Sequence, residues 1–200
     1  MTAPGRAELI RADGEPDRSL RRLWLVAAID AIVVRTVFLV GGAAVDLHTG
    51  GYVPTDVDIV GVVTPDDRRA LVDAGFVETG GRHLRWDYPD GTKELVEFPE
   101  STLDGSFERI RLADEVLVNV ITAESLVVDR IVQATDGSDV TFVDALRLII
   151  ATADRVDWVG VAADLKARPE TPYLGSMDKA RELLTTAGLP EVAVTHFESA

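Results

Sequence analysis

From Asp17 onward the apolar residues Leu20, Leu23, Trp24, Ala27 and Ala31 recur three and four apart, the spacing that gathers them on one face of a helix. The pattern then shortens. Residues 36–40 are a compact apolar run rich in strand formers and stopped by Gly41-Gly42, which predicts a buried strand. A short helix over 43–48 follows, closed by Gly50-Gly51. A second strand is predicted over 56–63. Behind it, Thr64-Pro65-Asp66-Asp67 has the makings of a helix start, with a hydroxyl cap, a proline in the first turn and acids beside the positive end. That helix reaches Ala74 and ends at Gly75. Runs at 82–88 and 93–98 flank Pro89-Asp90-Gly91 as a hairpin, and 107–112 with 115–121 supply one or two further strands.

After Ile121 the periodicity is helical throughout. Thr122 is placed to cap a helix over 123–134, and 140–153, 158–165 and 177–187 give three more, the last stopped by Gly188 and Pro190. The expected class is therefore α/β in the α+β sense, with a sheet-bearing core over 1–121 and a helical part over 122–200. Residues 1–16, rich in Gly, Pro and charge, are expected to be flexible.

Charge changes this picture. The net charge is −14, and Lys occurs only at 93, 166 and 179. Such a surface argues against a broad, salt-sensitive grip on DNA or RNA, although the arginines can still cluster into a local basic groove. It also fits a halophilic source, where high salt screens self-repulsion. With no cysteine, the chain has no disulfide, thiolate metal site or thiol nucleophile, which fits a cytoplasmic setting. Residues 1–16 hold no signal-like apolar stretch. The run 23–34 is broken by Asp30 and falls short of the roughly 20 residues of a membrane span, so no membrane partner is expected.

Asp56 and Asp58 stand two apart in an apolar strand, so their carboxylates project to one face. Two such acids repel each other and lose hydration, a conflict that a divalent cation relieves. Hard oxygen ligands without a Cys or His cluster favour magnesium (or manganese). Alone, the tripeptide reads first as the start of a strand with Asp58 toward solvent. Gly41-Gly42 lies where strand gives way to helix; there glycine lets the backbone approach a ligand, and the helix N-terminus offers N–H groups to an anion. Alone, it is also an ordinary tight turn. The succession of strand, Gly-Gly, helix, loop and strand-borne Asp-x-Asp is more specific than either part, and a triphosphate bridged by a cation to the carboxylates would fill such a site.

Phe38-Leu39-Val40-Gly41-Gly42, with Asp56-Val57-Asp58-Ile59 fourteen residues beyond, resembles the signature of the polymerase-beta-like nucleotidyltransferase superfamily. Within it, the chain is most similar to small prokaryotic members related to the AbiEii-type toxins of toxin–antitoxin systems. The resemblance covers 36–62 and extends, by order of elements, to about residue 158. It implies a nucleotidyltransferase-type mixed sheet with flanking helices, a nucleoside triphosphate donor held by Gly41 and Gly42, an unidentified acceptor such as RNA or protein, and an antitoxin partner. It further implies a third acid on a neighbouring strand. Glu97 is the candidate, and Glu94, on the opposite face, is its rival.

The same resemblance draws attention to Arg130, which falls inside the apolar arc of the helix 123–134. Relatives carry a Lys on the corresponding helix facing the nucleotide. Arg130 would be either a fixed charge near the phosphates or a snorkelling, salt-bridged side chain. The chain departs from the relatives in that Arg, and in lacking an arginine at 51–55. Asp144 reads as part of a solvated helix face, His48 and His83 as structural or surface residues, and Trp86 and Trp158 as core. The expected activity is metal-dependent transfer of a nucleotidyl group through Asp56, Asp58 and Glu97. The alternatives are a degenerate member of the fold that binds without turnover and a tRNA nucleotidyltransferase-like enzyme, whose Arg-Asp pair after the glycines is absent at Val45-Asp46.

Overall fold

A computed structural model describes residues 3–168 and 175–197, and the chain divides into two compact units, Met1–Ile121 and Thr122–Ala200. In the first unit, helices α1 (Arg6–Gly14) and α2 (Arg18–Ile32) precede strand β1 (Phe38–Val40), helix α3 (Gly41–Thr49), strand β2 (Val57–Val60) and helix α4 (Pro65–Asp73). Strands β3 (Val77–Gly80), β4 (His83–Asp87), β5 (Lys93–Glu97), β6 (Phe107–Ala113) and β7 (Val116–Ile121) complete it. All seven strands join one sheet in the order β3-β4-β5-β2-β1-β7-β6. The sheet is mixed, since β1 runs antiparallel to β2 but parallel to β7, and β2 runs parallel to β5.

Local chemistry fixes the helix starts. The Asp17 side chain accepts from the Leu20 N–H and begins α2. At α4, Thr64 and Asp67 each bond the other's backbone N–H in a capping box, with Pro65 in the first turn. The central strands of the sheet bury one face. Leu39, Ile59 and Val120 are cross-strand partners, as are Val57, Val96 and Leu84, and none is more than 1% exposed. Partners share a face, so this row is the core of the unit.

Two elements of this unit differ from the sequence expectation. The flexible segment expected over 1–16 holds α1, which buries Leu9 and Ala12, and Asp13 accepts a 2.9 Å hydrogen bond from Trp86 Nε1. Docking against α2, with that hydrogen bond to β4, organises a composition that otherwise reads as loose. Strand β3 is the other, an edge strand exposed at every position.

The second unit is helical, with α5 (Ala123–Gln133), a 3₁₀ turn (Ala134–Asp136), α6 (Asp139–Thr152), α7 (Trp158–Ala167), α8 (Ser176–Thr186) and α9 (Pro190–Phe197). Thr122, Ser138 and Asp157 cap α5, α6 and α7 through their side chains. Pro190, read from sequence as a stop, opens α9 instead, because proline at the first helical position gives up only an N–H that has no partner there anyway.

Candidate metal centre

Strand register assembles the site. Val40 lies opposite Asp58, Asp58 opposite Glu97, and Glu97 opposite His83, across β1, β2, β5 and β4. Asp58, Glu97 and His83 therefore form one row on the face opposite the buried Val57, Ile59 and Val96. Asp56 sits two residues before Asp58 and belongs to the same side. One oxygen from each of Asp56, Asp58 and Glu97 lies within 4.8 Å of the others, and all three residues are half-buried. Oxygens in an octahedral magnesium shell stand about 3 Å apart when adjacent and about 4.2 Å when opposite, so the three draw closer together to share one ion. The donor set is hard oxygen only, which suits magnesium, manganese or calcium.

Gly41 closes the site from the β1 side. Its φ is +62°, and a Cβ built there would stand 1.9 Å from Asp58 Oδ2. The Asp58 carboxylate occupies the space a side chain would need, so only glycine fits. Helix α3 begins at this turn with no side-chain cap at Val40, and its positive end meets the acids. Gly42 turns its Cα toward Tyr52 and Pro54; a Cβ there would be 3.0 Å from Tyr52 Cε1. The rest of α3 is tied down at two points. His48 Nε2 lies 2.9 Å from the Ile121 carbonyl, and Ser19 Oγ donates to Asp46 Oδ2 at 2.5 Å.

Glu97 has neighbours on its far side that the sequence did not place. Arg82 Nε is 2.5 Å from its Oε1, and His83 Nε2 is 3.3 Å from its Oε2. These contacts follow from the β4–β5 register, which the residue pattern alone does not fix; the only cue was an Arg-His pair at the start of a hairpin strand. Glu94, the rival acid, is on the other face and 8% exposed, with Arg22 Nε 3.1 Å away. Burial raises its carboxyl, against the lowering influence of Arg22. Arg130 belongs to the second unit, where its Nη1 donates to Gln133 Oε1 at 2.6 Å and its Nε stands 4.0 Å from Asp129 Oδ2. The first unit thus brings together Asp56, Asp58, Glu97 and Gly41, with Gly42 beginning the adjoining helix.

No protein-family model matches the chain, and no curated protein matches it by sequence. Among solved structures it is similar to the crystal structure of an antigenic nucleotidyltransferase-like protein from Paracoccidioides brasiliensis. The TM-score is 0.57 at 16% identity, over 89% of this chain and 94% of that one. The likeness establishes a nucleotidyltransferase-like fold. Among the described residues, no helix is long and apolar enough to cross a membrane.

Proposed function

We propose that the chain is a metal-dependent nucleotidyltransferase, taking a nucleoside triphosphate as donor and an acceptor hydroxyl as nucleophile. One observation carries the reading: the carboxylates of Asp56, Asp58 and Glu97 converge beside a glycine turn at a helix start, on a nucleotidyltransferase-like fold. Three acids without a cation would repel one another across less than 5 Å. Magnesium, when bound, supplies charge neutralisation at the reacting phosphate and lowers the barrier to in-line displacement. Asp56, Asp58 and Glu97 would hold the cation. The Gly41-Gly42 turn and the start of α3 orient the β- and γ-phosphates, because backbone N–H groups there face an anion without a side chain in the way. The acceptor oxygen bonds to the α-phosphorus, the bond from that phosphorus to the bridging oxygen breaks, and pyrophosphate leaves. Glu97 accepts the acceptor's proton at Oε2, where His83 Nε2 lies 3.3 Å away.

Incubation with extract and either α- or γ-labelled nucleoside triphosphate tests the reading. Label from the α position is expected on an acceptor, with about a 10²-fold loss in Asp58→Asn. Transfer of the γ label would instead mean phosphoryl transfer and would overturn it. The finer form of the proposal, a toxin with a cognate antitoxin, predicts that induced wild type arrests growth and Asp58→Asn does not. A second reading, a fold that binds nucleotide without turnover, draws on the engagement of both Glu97 oxygens by Arg82 and His83. It predicts nucleotide binding with no α-label transfer at all.

A further inference from the structure

The start of α2, the loop before β2 and the β4–β5 hairpin enclose a second cavity, of about 230 Å³. Arg18, Arg21, Arg22, Tyr88, Lys93 and Glu94 are among its walls. Four cations around one small cavity are notable in a chain of net charge −14. Their placement also runs against local preference. Helix starts favour acids and disfavour cations, yet the first turn of α2 has no acid, and Arg18 opens the helix with Arg21 and Arg22 one turn on.

Two of the four are matched within the protein. Arg21 Nη1 pairs with Asp90 Oδ2 at 2.8 Å, and its guanidinium carbon lies 4.5 Å from the centre of the Tyr88 ring. Arg22 is buried, with Nε 3.1 Å from Glu94 Oε2 and Nη2 donating to the Pro54 carbonyl at 3.3 Å. Arg18 and Lys93 are exposed and make no close ion pair or hydrogen bond among the described residues; at longer range the charge of Arg18 bears on Glu94 and that of Lys93 on Asp87. Tyr88 is 4% exposed, and its hydroxyl has no hydrogen-bond partner among those residues either. Buried hydroxyls rarely stay unpaired, because desolvation goes uncompensated.

We propose that this cavity binds a phosphate-class anion, either inorganic phosphate or the phosphoryl group of a small phosphomonoester. Arg18 and Lys93, which make no close pair, can turn their side chains onto a phosphate dianion, which offers two charges where a carboxylate offers one. Guanidinium forks suit phosphate oxygens through paired N–H donors, and a phenol adds a further donor. The volume lies below the roughly 300–1,000 Å³ of clefts that hold drug-sized ligands, so the cavity takes an anionic group rather than a whole nucleotide. Thr55 lines it and Asp56 follows in sequence, but the cationic side chains gather around Glu94, on the opposite side of β5 from Glu97. The site is therefore on another side of the strand from Glu97, with Asp56 bearing on Glu94 through its charge, and phosphate binding there does not depend on nucleotidyl transfer.

Calorimetric titration of the full chain with inorganic phosphate, without divalent cations and at constant ionic strength, tests the proposal. Saturable binding is expected. It should weaken by about tenfold in Arg18→Ala and in Lys93→Ala, whose exposed side chains are not needed for folding, and should weaken in Tyr88→Phe. Asp58→Asn should bind phosphate as the wild type does. Glycerol phosphate as a second titrant distinguishes an esterified ligand, if it binds more tightly, from the free ion, if it does not. The proposal is overturned if phosphate does not bind, or if neither Arg18→Ala nor Lys93→Ala weakens binding. It is equally overturned if Asp58→Asn alone abolishes binding, which would put the anion at the glycine turn.

Discussion

At Gly41 two independent constraints coincide. The residue has a left-handed backbone, and the space for its Cβ is taken by the Asp58 carboxylate. Gly41→Ala is expected to cost about 1–2 kcal/mol for the backbone alone. It should also displace Asp58, so that divalent-cation binding falls by more than the loss of stability explains; denaturation and manganese titration of the same variant separate the two effects. Asp67 gives a pH-dependent counterpart. Burial alone would raise its carboxyl, but hydrogen bonds from the Thr64 side chain and backbone and from the Val34 N–H outweigh that and hold it below the ordinary value. A depressed folded pKa means that ionised Asp67 stabilises the fold. That contribution is complete above about pH 4 and is lost as pH falls through the folded value. Asp67→Asn should therefore cost about 1 kcal/mol near neutrality, and its deficit against wild type should shrink below pH 4 in denaturation curves.

Among the elements, α1 makes the sharpest claim, because its stability comes from docking rather than from its own sequence. Leu9 is 6% exposed, and Leu9→Ala should lower unfolding free energy by about 2–3 kcal/mol; an unchanged denaturation midpoint would show that the helix is dispensable. Elements carrying their own signals were legible from sequence. Thr64 and Thr122 cap where the residue pattern placed them, α2 begins where the helical pattern was read from Asp17, and the apolar runs of β1, β2 and β5 lie in the buried row. Those without such signals were not. Val77–Gly80 is exposed on both faces and offers no alternation to read, while α1 buries too few residues to show a period. The site divides the same way. The i,i+2 spacing of Asp56 and Asp58 and the glycine turn are local facts. The pairing of Asp58 with Glu97, and the approach of Arg82 and His83, are matters of register between distant segments. The cationic cavity joins three segments, and only the Arg18, Arg21, Arg22 spacing hinted at it.

For the molecule as a whole, a net charge of −14 on 200 residues makes self-repulsion a term that salt can remove. Raising salt from about 0.1 M to 1 M shortens the Debye length from about 10 Å to about 3 Å, and the thermal midpoint is expected to rise over that range. A midpoint that falls would mean that attractive surface pairs dominate instead. Because the structural likeness rests on 16% identity, it fixes the fold and leaves the chemistry to the three acids and the turn beside them. Calorimetric titration of a non-reacting nucleoside triphosphate analogue, with and without magnesium, into wild type and Asp58→Asn tests that arrangement most directly. Magnesium should tighten binding to wild type by about tenfold or more and leave Asp58→Asn unaffected. Equal affinity in wild type with and without magnesium, or an undiminished magnesium effect in Asp58→Asn, would contradict the account.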